Sequence, residues 1–349
     1  MKFRSFLKFA ALLTGFLGSA AAEAAEPPAR YWHSFSGNGN AVAGASRLFV
    51  FGGDSGSPTY MNLNDLWYYR ADIRQWTLAP TGKTKPSARH GVGWACGGGQ
   101  CVAASGGAAG ALKETWLYSE SQGAWSQLNC RRYYCPAARW YSVMAYDPLR
   151  GQFVLFGGEQ SPNLFLNDTH TLAGGRWAAR NPTNNPPPRF VAAAAFAQAP
   201  VNMVVLYGGA YLQVVDNMGT FAARCDMWAW NGTTWLSISM AVDPSAGAGP
   251  CLENPNMVWD ASTGDLLVTG GFALINGREI PNQDAWRFKF STATSGKWSK
   301  DVGEFWYCAS AVRPGAAMAF DASSGAKVFF GGFAKFPQTV AVADTTYCK

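Results

Sequence analysis

Four groups of side chains in this 349-residue chain could do chemistry. Eight cysteines come first. Cys96 and Cys101 stand five apart, as do Cys130 and Cys135, while Cys225, Cys251, Cys308 and Cys348 are more widely spread. As thiolates they would bind zinc, and as disulfides they would clip loops. Neither close pair has Cys-x-x-Cys spacing, and the chain starts with what reads as an export leader, so disulfides are expected. The arginines Arg30, Arg89, Arg139, Arg189 and Arg313 form a second group. Each could attract an anion or pair with the acid that follows in its own unit. Three histidines, His33, His90 and His170, would bind a metal only if they converged, which their spacing does not require. Each reads as a packed or hydrogen-bonded side chain, and no metal or cofactor is expected. Finally, Arg131, Arg132, Tyr133 and Tyr134 lie between two cysteines, and Phe305, Trp306 and Tyr307 precede a third. Tyr, Trp and Arg are the residues most often found at binding hot spots.

The elements that must position these groups are written as a repeat. Paired glycines recur at Gly52-Gly53, Gly106-Gly107, Gly157-Gly158, Gly208-Gly209, Gly270-Gly271 and Gly331-Gly332, at steps of 54, 51, 51, 62 and 61 residues. An apolar run precedes each pair (LFVF, CVAAS, FVLF, MVVLY, LLVT, KVFF), as suits a strand covered on both faces. After each pair come a variable loop and an acid, followed two residues later by Trp67, Trp116, His170, Trp228, Trp286 or Thr346. A second tryptophan follows in five units: Trp76, Trp125, Trp177, Trp235 and Trp298. The arginines precede five of the units, with Asn254 expected in that place in the fifth.

With these features in hand, the chain resembles the kelch-repeat family. The resemblance runs from about Arg30 to the C-terminus and departs at His170 and at the short sixth unit. It implies an all-β fold, a six-bladed kelch-type β-propeller of four-stranded blades with an incomplete sixth blade. The kelch blade order places Cys225 and Cys251 on one face, in neighbouring blades. Cys308 and Cys348 are left over; bridging them would fasten the last blade provided both emerge at the same end of it. The same order puts the strand two-to-three loops, at about 54–64, 108–113, 159–167, 210–225, 272–283 and 333–343, on one face with the inter-blade loops, at about 79–88, 129–138, 178–188, 238–253 and 300–312. Ligand contact in the family falls there. The function implied is a non-catalytic interaction module for a protein or glycan ligand, with Arg131, Arg132, Tyr133, Tyr134, Phe305, Trp306, Tyr307, Arg89, Arg139, Arg189 and Arg313 as candidate contacts. Some kelch-like propellers are instead sugar-active enzymes, galactose-oxidase-like oxidases or epimerases. In such an enzyme Glu159, Glu253, Glu279 and Glu304 would be the acids to consider.

Residues 1–22 have the basic start, apolar stretch and small-residue end of a signal peptide, with cleavage after residue 22 or residue 25 equally readable. Residues 26–349 are then one kelch domain, secreted or periplasmic. The net charge of +6 falls to about +3 once Lys2, Arg4 and Lys8 leave with the leader, too little for a nucleic-acid footprint. No later stretch is long enough to span a membrane.

Overall fold

The computed structural model describes residues 25–37, 46–56, 58–215, 218–275, 278–303, 313–333 and 340–348. Residues 1–22, read from the sequence as a leader, lie outside them. So do Phe305, Trp306, Tyr307 and Cys308. Among the described residues there is no α-helix, only a 3-10 turn at Pro244–Ala246, and no helix long and apolar enough to cross a membrane.

Each repeat unit forms one antiparallel sheet with its strands in chain order. Sheet 1 is Ser34–Gly37, Arg47–Phe51, Leu66–Arg70 and Gln75–Leu78. Sheet 2 is Gly93–Gly97, Gln100–Ala104, Thr115–Ser119 and Ala124–Gln127. Sheet 3 is Val143–Asp147, Gln152–Ser161, Leu164–Ala173 and Arg176–Arg180. Sheet 4 is Ala193–Ala197, Met203–Tyr207, Met227–Trp230 and Trp235–Ser237. Sheet 5 holds Asn256–Asp260, Asp265–Thr269, Ala285–Thr292 and Ser295–Lys300. Sheet 6 has Ala317–Asp321, Ala326–Phe330 and Thr345–Cys348, three strands among the described residues.

Strand alternation explains why the second strands are apolar throughout. Successive side chains point to opposite faces, and here both faces meet another sheet. Phe49 and Phe51 pack with Trp94, Trp116 and Trp125 of sheet 2. Leu48 and Val50, one residue out of phase, pack with Val328 and Phe330 of sheet 6. Comparable clusters join sheets 2 and 3, 3 and 4, 4 and 5, and 5 and 6. The fourth-strand tryptophans fill these junctions: the Trp177 and Trp235 indoles donate to Thr115 Oγ1 (3.0 Å) and Thr169 Oγ1 (2.9 Å) of the preceding sheet. Trp76 does the same across the sheet 6 to sheet 1 junction, at 2.7 Å from Thr345 Oγ1.

The structure corrects the sequence reading in three places. Ser239–Val242, expected within a loop, pairs in parallel with Ser295–Lys300 and makes sheet 5 five-stranded. Two expected loops are themselves ribbons: the hairpin Ala210–Val215 with Met218–Ala223, and Leu252–Glu253 with Phe272–Ile275 and Arg278–Pro281. The residue equivalent to the arginines in sheet 5 is Leu252, not Asn254. A glycine amide of the preceding sheet donates to the carbonyl at this position in Arg89, Arg139, Arg189 and Leu252 alike. That bond also runs from Gly332 of sheet 6 to Arg30 of sheet 1, at 2.9 Å.

Three disulfides join Cys96 to Cys101 across a strand pair, Cys130 to Cys135, and Cys225 to Cys251. Cys348 is also disulfide-bonded.

Candidate ligand-binding face

The recurrent arginines do structural work. Arg30, Arg139 and Arg189 make paired bonds of 2.6–2.8 Å to Asp65, Asp168 and Asp226, and Arg89 bonds Glu114 at 2.6 Å. Each also donates to a carbonyl in or just after its own second strand: Gly52, Ser105, Gly157 or Gly208. All four side chains are fully buried, so Arg89, Arg139 and Arg189 offer no surface to a ligand. Arg313 pairs with Asp344 at 2.6 Å and is partly exposed. In sheets 1, 2 and 4 a tryptophan indole completes the arrangement by donating to the acid, at 2.7, 3.0 and 2.6 Å. In sheet 3 His170 replaces it, with Nε2 2.6 Å from Asp168 Oδ2. Burial works against the Asp168 carboxylate, yet its bonds to Arg139 and His170 hold it well below the usual range.

Two residues beyond each arginine position the backbone turns left-handed. The residues are Trp32 (φ 49°), Gly91 (61°), Tyr141 (52°), Val191 (46°), Asn254 (49°) and Gly315 (71°). A positive φ is uncommon in a residue with a side chain and costs most in bulky or β-branched ones. Its recurrence in all six units marks it as a demand of the linker, which must reverse into the first strand. The six first strands surround a cavity of about 400 Å³, and Trp32, Gly91, Tyr141, Val191 and Asn254 are among its lining.

Sequence reasoning passed over this position because its residue type varies while its conformation does not. Spacing from the arginine would have found it. At Gly91 the missing side chain matters, since a Cβ there would stand 2.9 Å from the Tyr141 ring. We expect Gly91→Ala to displace Tyr141 and lower stability by about 1–2 kcal/mol through the unfavourable φ and the clash. Thermal unfolding checks this.

With Gly91 open, Trp32, His90 and Tyr141 meet, each pair of ring centroids 5.8 Å apart. His90 is held by Asn62 Oδ1, 2.6 Å from its Nδ1. Tyr31 links Trp32 (4.9 Å) to Phe333 (4.4 Å) on one side. On the other, Tyr141 leads to Phe190 (6.3 Å), which packs with Phe165 (4.8 Å) and Phe221 (5.6 Å). The result is an unbroken run of rings across one end of the sheets, with Trp32 39% and Phe221 44% exposed. Asp54 and Glu159 lie beside it. Burial, then the Asp54 charge, pushes the Tyr31 phenol up to about 12. His33, nearby, is buried against Phe330, and that burial, with Arg30 close, lowers its pKa to about 3.

The Cys130–Cys135 loop lies further out. Arg131, Arg132, Tyr133 and Tyr134 are all exposed. The Tyr134 hydroxyl lies 3.0 Å from His170 Nδ1, while Tyr133 has the guanidinium carbons of Arg132 and Arg176 each 5.5 Å from its ring centroid.

Repeated four-stranded antiparallel sheets, packed face to face with buried Arg–acid pairs, define a propeller-type repeat protein. Residues 17–158 match the KLHDC2/KLHL20/DRC7 Kelch-repeats domain, which supports a kelch-repeat reading for that part of the chain. No curated protein matches it.

Proposed function

We propose that the six sheets close into a six-bladed propeller and that the chain is a non-catalytic, exported binding module. Closure is supported by the Gly332–Arg30 bond, which repeats the link between earlier neighbours, and by the core shared by sheets 6 and 1. Export is compatible with the three disulfides.

The observation that carries the binding role is the run of rings from Phe333 through Trp32 and Tyr141 to Phe221. It crosses five units and mixes exposed rings with buried ones. That breadth suits a protein partner, whose footprint takes 20–30 residues a side, and aromatic side chains are favoured at the centres of such contacts. A variant with Trp32→Ala and Phe221→Ser keeps the parent melting temperature and loses at least tenfold in affinity for a partner captured and identified with the parent protein. Undiminished affinity in that variant sinks the assignment.

A further inference from the structure

We infer that the Cys130–Cys135 loop and the adjoining strand of sheet 3 form a second binding site, one for an acidic saccharide. This site is separate from the aromatic run and stands without it.

The argument begins with His170. Where sheets 1, 2 and 4 hold a tryptophan with a single N–H for the acid, His170 has two ring nitrogens. Nε2 faces Asp168 at 2.6 Å, and Nδ1 is left to meet the Tyr134 hydroxyl at 3.0 Å. The replacement therefore ties the loop to the buried Arg139–Asp168 pair. The disulfide closes the loop from its other side, and Asn129 Oδ1 accepts from the amides of Arg131 and Arg132. A six-residue loop so fixed loses little freedom on binding.

The fixed loop carries cations that no acid among the described residues neutralises. Arg132 from the loop and Arg176 from the outer strand of sheet 3 both approach the Tyr133 ring, and Arg131 is exposed beside them. Among the described residues, none of the three has an acidic partner. Arg70 and Arg150, by contrast, pair with Asp72 and Asp147, while the exposed Arg74 lies over Tyr347 alone without sharing its ring with a second guanidinium. The face of Tyr133 attracts both guanidinium groups and offsets their mutual repulsion. An anion between them would complete the arrangement, and planar guanidinium groups suit a carboxylate or sulfate. The patch is far smaller than a protein footprint but matches a few sugar rings, with Tyr133 and Tyr134 half exposed as apolar surface for them.

The test uses the full chain with its disulfides intact, titrated calorimetrically with tetragalacturonate, with its fully methyl-esterified form and with a tetraglutamate peptide. Tetragalacturonate is expected to bind saturably and at least fivefold more weakly at 300 mM than at 50 mM salt. Arg132→Ala with Arg176→Ala should lower its affinity at least tenfold at an unchanged melting temperature. His170→Trp, which restores a donor to Asp168 but releases Tyr134, should lower it several-fold. The Trp32→Ala, Phe221→Ser variant should bind as the parent does. Failure of tetragalacturonate to bind, equal binding of the neutral ester, or tighter binding of the peptide each overturns the proposal.

Discussion

At pH 8.5, a Glu253→Gln variant unfolds at higher temperature than the parent protein, a gain of about 2–3 kcal/mol that disappears near pH 4.5. Glu253 is buried on the short strand that follows Cys251, opposite Phe272, while Glu279 lies opposite Leu274 two strands away on the same face of that ribbon. Burial first, then the charge and hydrogen bond of Glu279, raise the Glu253 carboxyl from 4.5 to about 7. The unfolded chain releases this proton near pH 4.5 and the folded protein only near 7. Protonation therefore favours folding, and its contribution is complete below pH 4.5 and lost as pH climbs through 7. Glutamine keeps the shape and removes the titration. Calorimetric melting of both proteins between pH 4.5 and 8.5 decides the matter, and parallel stability curves would refute the buried pair.

Removing the acid of a buried pair should cost more than removing the arginine, provided the arginine's volume is kept. Asp226→Asn is expected to destabilise by about 3–5 kcal/mol, since it leaves the sealed Arg189 guanidinium without its counter-charge. Arg189→Met fills the same space and leaves Asp226, whose side chain is 34% exposed, able to reach water. Its cost should be about 1–2 kcal/mol, from the Gly208 and Pro187 carbonyls left without a donor. Denaturant unfolding of the two variants gives the comparison, and an equal or reversed order counts against it. Acid sensitivity follows from the same pairs. Burial raises the Asp65, Glu114 and Asp226 carboxyls, but their arginine and indole bonds prevail and hold them below the ordinary range. The stability they supply is present above pH 4 and is lost as pH falls below it. With Glu253 acting at the other end, stability is expected to peak in mildly acidic solution, which melting across the same pH range checks.

The sheets were legible because each demands several residue types at once: an apolar strand, paired glycines, an acid and a tryptophan. Agreement among these in successive units outweighs the ambiguity of any one. Departures came where a single residue had to speak for itself. Leu252 takes an arginine's place with no charge to mark it, and Asn254, two residues on, looked like the substitute. The Ala210–Ala223 and Phe272–Pro281 segments read as loops because short hairpins outside the repeat have no repeating partner to reveal them. Of the candidate contacts, Arg131, Arg132, Tyr133 and Tyr134 lie exposed together, whereas Arg89, Arg139 and Arg189 are sealed inside their sheets. An arginine's fate in such a motif depends on whether its acid lies within reach, which spacing suggests and only geometry decides.

The left-handed turns at Trp32, Gly91, Tyr141, Val191, Asn254 and Gly315 carry an implication for how such a molecule diversifies. The backbone sets the torsion, and it accepts an indole, a phenol, an amide or a bare hydrogen with the sheets unchanged. All of these positions but Gly315 line one opening. Exchanging one side chain for another at the occupied positions alters what the opening admits, whereas Gly91, set against the Tyr141 ring, takes no side chain without a shift.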